Sequence, residues 1–298
     1  MYNGIINIYK QKGFTSHDVV AKMRGILSQK KIGHTGTLDP DAEGVLPVCI
    51  GNATKLCDML TDRDKEYIAV MRLGLETDTQ DLSGKILFQS DVKVSWDKVE
   101  DVMMSFVGAY EQIPPMYSAL KVNGKKLYEM ARQGLEVERK PRDVRIYEIE
   151  IRKKELPFVE FRVSCSKGTY IRTLCYDIGK KLGCGAAMAS LTRTKAGIFT
   201  LQTAITLSEL EESKNQHMLD QIIIPVDSMF SHLSSVHIAE QNMKIVENGN
   251  SFTLNHILER RIFGDGEEVR VYNQEGKFFG VYSYKACDDR FIPIKMFL

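Results

Sequence analysis

Short apolar stretches alternate with polar turns along this chain, and several strand-like stretches carry a charged residue at every second position. Gly4 to Tyr9 predicts a buried strand, and Lys12-Gly13 a turn. Ser16 is placed to cap a helix to about Leu27, with Val19, Val20, Met23, Ile26 and Leu27 on one face. Lys31 to Gly44 predicts a Gly-rich polar loop, Val45 to Ile50 a strand, and Tyr67 to Leu73 another. Ser95 is placed to cap a helix to Phe106 with Val99, Val102 and Met103 inward. Asn123-Gly124 is a hairpin signal, and Leu127 to Gln133 predicts a helix stopped by Gly134. Val144, Ile146, Ile149 and Ile151, then Phe158, Phe161 and Val163, sit among charges and predict two long half-exposed strands turning near Pro157. Thr169 to Leu182 predicts a helix after Gly168. Interleaved helices and alternating strands predict an α+β fold, a large mainly antiparallel sheet with flanking helices. Glu211 to Gln216 reads as a polar connector. From about Val236 short strand-like pieces, Val269–Tyr272, Phe278–Tyr282 and Ile292–Phe297, predict a small C-terminal all-β domain.

The length of 298 residues fits about two domains, and 43% apolar with 27% charged residues is ordinary globular usage. No apolar run approaches the ~18 residues of a membrane span, and Met1-Tyr2-Asn3-Gly4 lacks the pattern of a signal peptide. The six cysteines form no C-x-x-C pair and sit mostly in apolar runs, which suits free thiols in a reducing compartment. A cytoplasmic location is expected. The net charge is only +1, so a nucleic-acid partner requires local charge. Tyr117 to Arg145 holds eight Lys/Arg against four Asp/Glu, and Met1 to Lys31 six Lys/Arg against one Asp.

The loop from Gly33 to Gly44 concentrates His34, two threonines, three acids and three glycines. Asp39-Pro40-Asp41-Ala42-Glu43-Gly44 starts like a calcium loop, but Ile50 stands where the bidentate Glu is needed. There is no phosphate-cradling ending, no GxGxxG, and no zinc-ligand spacing, so no metal is expected. Two readings stay open on composition: plain turn chemistry, or Asp39 and Asp41 as paired carboxylates acting at a sugar C1′ bond. In Ser166-Lys167-Gly168-Thr169-Tyr170-Ile171-Arg172, which opens a helix, Arg172 is suited to pair with a carboxylate. Tyr67 in Lys65-Glu66-Tyr67 is a strand aromatic or a base-stacking platform.

Gly33-His34-Thr35-Gly36-Thr37-Leu38-Asp39-Pro40, continuing through Ala42, Gly44-Val45-Leu46 and Gly51-Asn52-Ala53-Thr54-Lys55, resembles the signature of TruB-type tRNA pseudouridine-55 synthases. Lys167 to Arg172 and Lys65-Glu66-Tyr67 are similar to two further motifs of that family. The opening Gly4 to Ser16 is also similar, with Gln11 where Pro is usual. The match runs in order over about residues 4 to 230. The resemblance implies a pseudouridine synthase catalytic domain over 1–230, a basic thumb insertion over about 117–145 that clamps the tRNA T stem-loop, and a PUA-like RNA-binding domain over 236–298. It implies Asp39 as the catalytic aspartate, Tyr67 stacked on the target uracil, and Arg172 ion-paired to Asp39. His34 would hold the target base out of the T loop, and Tyr170 and Leu191 would line the uridine pocket.

The implied reaction breaks N1–C1′, turns the uracil and joins C5 to C1′ after the base is extruded. It involves no redox change, phosphoryl transfer or net hydrolysis, so no cofactor is expected and one carboxylate suffices. Asp41 and Glu43 then become loop acids. A monomer acting on tRNA without a protein partner or a membrane is expected. The rivals are a nucleoside hydrolase, a non-enzymatic RNA-binding protein, and a synthase guided to another RNA.

Overall fold

A computed structural model describes residues 1–122 and 124–298. β1 (Gly4–Lys10) is followed by α1 (Ser16–Leu27), β2 (Ile32–His34) and β3 (Glu43–Ile50). A 3-10 segment, Gly51–Leu56, leads into α2 (Cys57–Thr61) and β4 (Lys65–Leu73). β5 (Leu75–Thr77) and β6 (Ile86–Gln89) form a small ribbon before α3 (Trp96–Met104) and β7 (Gly108–Gln112). The basic insertion holds β8 (Lys121–Val122), β9 (Lys125–Lys126) and α4 (Leu127–Arg132). β8 and β9 pair as expected; of the expected hairpin turn, Asn123 lies outside the described residues. β10 (Arg142–Glu155), β11 (Phe158–Cys165), α5 (Ile171–Leu182), β12 (Ala186–Ala196), β13 (Phe199–Thr200) and α6 (Leu207–Asn215) complete the larger part. β14 (Ser234–His237), α7 (Met243–Glu247), β15 (Phe252–Thr253), β16 (Glu268–Tyr272), β17 (Phe278–Lys285) and β18 (Arg290–Met296) follow.

The large sheet has nine strands in the path β1-β3-β12-β4-β11-β10-β7, with β2 on β3 and β13 on β12. The β3–β12 pair is parallel and the other pairings of this sheet are antiparallel. The fold is the expected α+β one with a mainly antiparallel mixed sheet. α3 and α5 close a core over β4, β10, β11 and β12, around Phe161, Leu174 and Ile178. α1 and α6 close a second core over β1 and β3, around Ile6, Met23 and Leu46. Burial of each such side chain contributes about 1.5–3 kcal/mol. The C-terminal five-stranded sheet, order β14-β16-β17-β18-β15, has its own core of Phe252, Phe279 and Phe291. It docks on the larger part through Val281 and Phe297, which share a cluster with Phe230, Ile5 and Val45. Asn52 and Lys55 donate to the Phe297, Met296 and Leu298 carbonyls.

Several expectations need correction. Thr15, not Ser16, caps α1: its hydroxyl accepts from the Asp18 amide and the Asp18 carboxylate accepts from the Thr15 amide. Ser16 is buried and ties the Asp39 loop instead, accepting from the Leu38 amide at 2.9 Å. The loop expected over Lys31 to Gly44 is shorter, because β2 pairs with the end of β3 while the start of β3 pairs with β1 and β12. The helix expected from Thr169 starts two residues later, at Ile171, with Tyr170 at its N-cap. The polar run Glu211 to Gln216 is mostly helix: Thr206 and Glu209 form a capping box that starts α6, and only Leu210 of its residues is buried. The C-terminal sheet carries the short helix α7, so that region is not purely β. Arg142 and Arg145, counted with the basic insertion, belong to β10 of the main sheet.

Candidate active site

The centre of the large sheet sets the floor of a cleft of about 610 Å³. β12 lies between β3 and β4, so Arg193 faces Gly44 on one side and Tyr67 on the other. Directly paired residues project from the same face of a sheet. Tyr67, Arg193 and Leu191 accordingly all line the cleft. Gly44 has φ +102 and a Cβ there would sit 2.3 Å from the Arg193 carbonyl oxygen, so only glycine allows this close approach.

The Asp39 loop hangs over this floor and is tied by its backbone. Ser16 holds Leu38, Ala42 donates to the Asp39 carbonyl at 3.1 Å, and Gly13 donates to the Pro40 carbonyl at 2.9 Å. The Lys10 ammonium, fully buried, donates to the carbonyls of Gln11, Phe14 and Pro40. Burial lowers its pKa to about 8, against the opposing pull of Asp39. The opposite wall is the start of α5. Gln112 accepts from the Tyr170 amide at 2.8 Å and donates to the Tyr170 carbonyl at 3.0 Å. That pairing fixes the turn from which Arg172 projects.

Arg172 grips Asp39 at two points, Nε to Oδ2 at 2.9 Å and Nη2 to Oδ1 at 3.1 Å. Its other donors go to the Tyr117 carbonyl at 2.8 Å and the Thr79 carbonyl at 3.0 Å, with the Asp81 carboxylate 3.7 Å away. Arg172 is 5% exposed, whereas the Asp39 side chain keeps 37% of its surface open. A buried guanidinium held by two backbone carbonyls thus presents a carboxylate to the cleft. Burial pushes the Asp39 pKa up from its ordinary value; Arg172 and Lys10 oppose that shift and Asp81 adds to it.

Under the cleft, Arg193 is 1% exposed and donates to the Val45 carbonyl at 2.7 Å and the Gly36 carbonyl at 3.2 Å. It also contacts the Tyr67 phenol. Burial pushes that phenol up to about 12, with Arg193 pulling it back. Lys65 holds the Thr61 and Arg63 carbonyls, each at 2.5 Å, and burial lowers its pKa to about 8.

Of the residues expected at the site, Asp39, Tyr67, Tyr170, Arg172 and Leu191 line this one cleft. His34 does not; it is half-buried at the end of β2, where Nδ1 accepts from the Gly36 amide at 3.3 Å. Asp41 is exposed and outside the lining, which argues against Asp39 and Asp41 as a working pair. The second carboxylate near Arg172 is Asp81, a residue sequence reasoning passed over, as it did Lys10, Gln112 and Arg193. The run Thr77 to Gly84, rich in Asp and Thr, was the one available signal for Asp81. Among the described residues no cluster of His, Cys, Asp and Glu has metal-holding geometry. All six cysteines are free; Cys57 is half-buried and Cys287 exposed.

The family model described as TruB family pseudouridylate synthase (N terminal domain) matches residues 24–171. The model for the tRNA pseudouridylate synthase B C-terminal domain matches 172–231. Fold and cleft therefore define a pseudouridylate synthase, an isomerase. The tRNA pseudouridine synthase B of Lachnoclostridium phytofermentans is 51% identical over 306 residues, covering 99% of this chain and all of the relative. That of Alkaliphilus oremlandii is 48% identical over 293 residues, covering 98% and 97%. The chain belongs to the TruB family. Among solved structures it is similar to a chain of a Cbf5-Nop10-Gar1 complex, with TM-score 0.71 and 31% identity over 99% of this chain and 85% of that one. It is also similar to a chain of an H/ACA RNP bound to a substrate RNA containing 2′-deoxyuridine, with TM-score 0.70, 28% identity, and coverage of 99% and 85%.

Proposed function

We propose that this chain converts uridine 55 in the T loop of tRNA to pseudouridine, with Asp39 as the essential carboxylate. The observation that carries this reading is the two-point grip of Arg172 on an Asp39 that stays open to a cleft floored by Tyr67. The uracil is extruded into the cleft and stacks on Tyr67, worth about 1–3 kcal/mol. Leu191 and Tyr170 wall it, and Arg172 keeps Asp39 ionised and aimed. His34, half-buried at the end of β2, holds the target base out of the T loop. Full-length likeness to enzymes named tRNA pseudouridine synthase B supports tRNA as the substrate.

The basic insertion, with exposed Lys121 and Lys125, is the thumb that clamps the T stem. The catalytic domain spans 1–230. The C-terminal sheet, 236–298, is a PUA-like RNA-binding module; Arg260, Arg261 and Ile262, consecutive and exposed, support an RNA-facing loop there. The chain works as a cytoplasmic monomer without a protein partner or cofactor; no described helix is long and apolar enough to cross a membrane.

The test is tritium release from tRNA labelled at uridine C5, without free uracil. The native chain releases tritium. Asp39→Asn is expected to lose at least about 10³-fold in rate while tRNA affinity stays within roughly tenfold, because phosphates supply most of it. Substantial product from that variant refutes the assignment of Asp39.

A further inference from the structure

Ser118 stands out among the cleft-lining residues. It is 5% exposed, yet its hydroxyl is a buried polar atom without a hydrogen-bond partner among the described residues. Such groups are rare in folded proteins. The Tyr170 phenol lies beside it, close enough to draw the phenol's pKa down against the larger effect of burial, but outside full hydrogen-bond geometry. The Ser118 backbone, by contrast, is fully engaged: its amide donates to the Met116 carbonyl at 3.0 Å and its carbonyl accepts from the Tyr128 amide at 3.1 Å. The hydroxyl is therefore held beside the Tyr170 phenol, with no described partner in full hydrogen-bond geometry.

Its position relative to the chemistry is fixed by Arg172. One nitrogen, Nη2, donates both to Asp39 Oδ1 and to the carbonyl of Tyr117, the residue before Ser118. The root of the basic insertion and the catalytic carboxylate thus hang from the same guanidinium.

We propose, building on the uridine-isomerising reading above, that Ser118 is a substrate-contacting residue whose hydroxyl donates a hydrogen bond to a ring carbonyl of the uracil in the cleft. Turning a uracil about its N3–C6 axis exchanges N1 with C5 and, with them, the C2 and C4 carbonyls, while N3 stays in place. A single donor at one carbonyl position therefore meets one oxygen before the turn and the other after it. A hydroxyl there holds the base through both orientations without favouring either, and it belongs to the segment that the insertion brings over the substrate.

The experiment compares the native chain with Ser118→Ala on T stem-loop RNA carrying uridine, 2-thiouridine or 4-thiouridine at the target. Sulfur accepts hydrogen bonds weakly, so removing the donor and replacing the acceptor should not add. Ser118→Ala is expected to slow single-turnover conversion of uridine roughly tenfold, equivalent to about 1.4 kcal/mol. RNA affinity should stay within about threefold, because phosphate contacts supply it. On at least one thio-substituted RNA the further loss should shrink to about twofold or less. Ser118→Thr, which keeps the hydroxyl, should restore most of the rate on uridine. An unchanged rate on uridine overturns the proposal, as does an equal loss on all three RNAs, or a Thr variant as slow as the Ala variant. A native chain that makes no pseudouridine in any of the RNAs overturns the underlying reading as well; an active native chain with a fully active Ser118→Ala overturns Ser118 alone.

Discussion

Two buried arginines face the same cleft from different sides, and their surroundings differ in kind. On the α5 wall Arg172 meets two carboxylates, Asp39 at 2.9 Å and Asp81 at 3.7 Å. On the sheet floor Arg193 forms hydrogen bonds to backbone carbonyls and contacts the Tyr67 phenol, and no carboxylate pairs with it among the described residues. Burial of a paired charge is offset by its partner; burial of an unpaired one is offset only by oriented dipoles. The wall thus stores a matched pair that can act on a substrate. The floor supplies a buried positive charge beside the Tyr67 aromatic, its pKa lowered by burial and pulled back by the phenol.

The largest expected effect falls on the wall. Arg172→Lys should lower the rate roughly 10²-fold, because a point charge cannot hold both Asp39 oxygens together with two carbonyls. Near-native turnover would erase the distinction drawn between the two arginines. Arg172→Gln should also move the acid limb of the pH–rate profile upward. On the proposed reading Asp39 acts ionised, so activity is present above its pKa and lost as pH falls through it. That pKa already lies above the usual 3.8, and removing Arg172 removes the main influence lowering it. A limb that stays put, or moves down, would mean Asp39 does not govern it.

Arg193→Met should be milder in both readouts. The rate is expected to fall about tenfold as Tyr67 loses its neighbour. Stability should change by no more than about 2 kcal/mol, since unsatisfied carbonyls and relief of a buried unpaired charge act in opposite directions. Denaturant midpoints measure this, and Arg172→Met, which breaks a pair, should cost more, about 3–5 kcal/mol. Equal losses would show that pairing is not what separates the two sites. Smallest is the thumb: neutralising Lys121, Lys125 and Arg132 should leave the chemical step unchanged and reduce the slope of log affinity against log salt by up to about 2–3. An unaltered slope would place the phosphate contacts elsewhere.

The wall was far more legible in the sequence than the floor. Asp39 stands in a loop whose glycines and Pro40 interrupt the apolar pattern, and Arg172 lies four residues after Gly168 at the start of a helix; both breaks in periodicity are visible locally. β12, which carries Leu191 and Arg193, gives no such signal. It begins with small residues, Ala186-Ala187-Met188-Ala189, and irregularities between Met188 and Ser190 and between Arg193 and Lys195 disturb its alternation. Ser16 was legible as a helix-start residue, but its work at Leu38 depends on a contact 22 residues away. Asp81 and Gln112 act on Arg172 and Tyr170 only once distant segments meet; the Asp- and Thr-rich run around Asp81 marks a polar turn but not its partner, and no local pattern marks Gln112. The truncation that the sequence invites, removal of the C-terminal sheet, would also strip Phe230 of its partners Phe278 and Phe297. Lost RNA binding in such a fragment would not separate recognition from misfolding.

The central parallel pairing has a consequence for how the protein is made. Glu43 and Gly44 of β3 meet Thr192 and Arg193 of β12, and Asp39 meets Arg172 across 133 positions of chain. A chain emerging from the ribosome at ~5–20 residues per second therefore carries its aspartate for roughly 7–27 s before the arginine that orients it exists. During that interval the nascent chain has the signature loop without an assembled site. Catalytic competence should appear late and abruptly during synthesis, when β12 inserts between two strands already made.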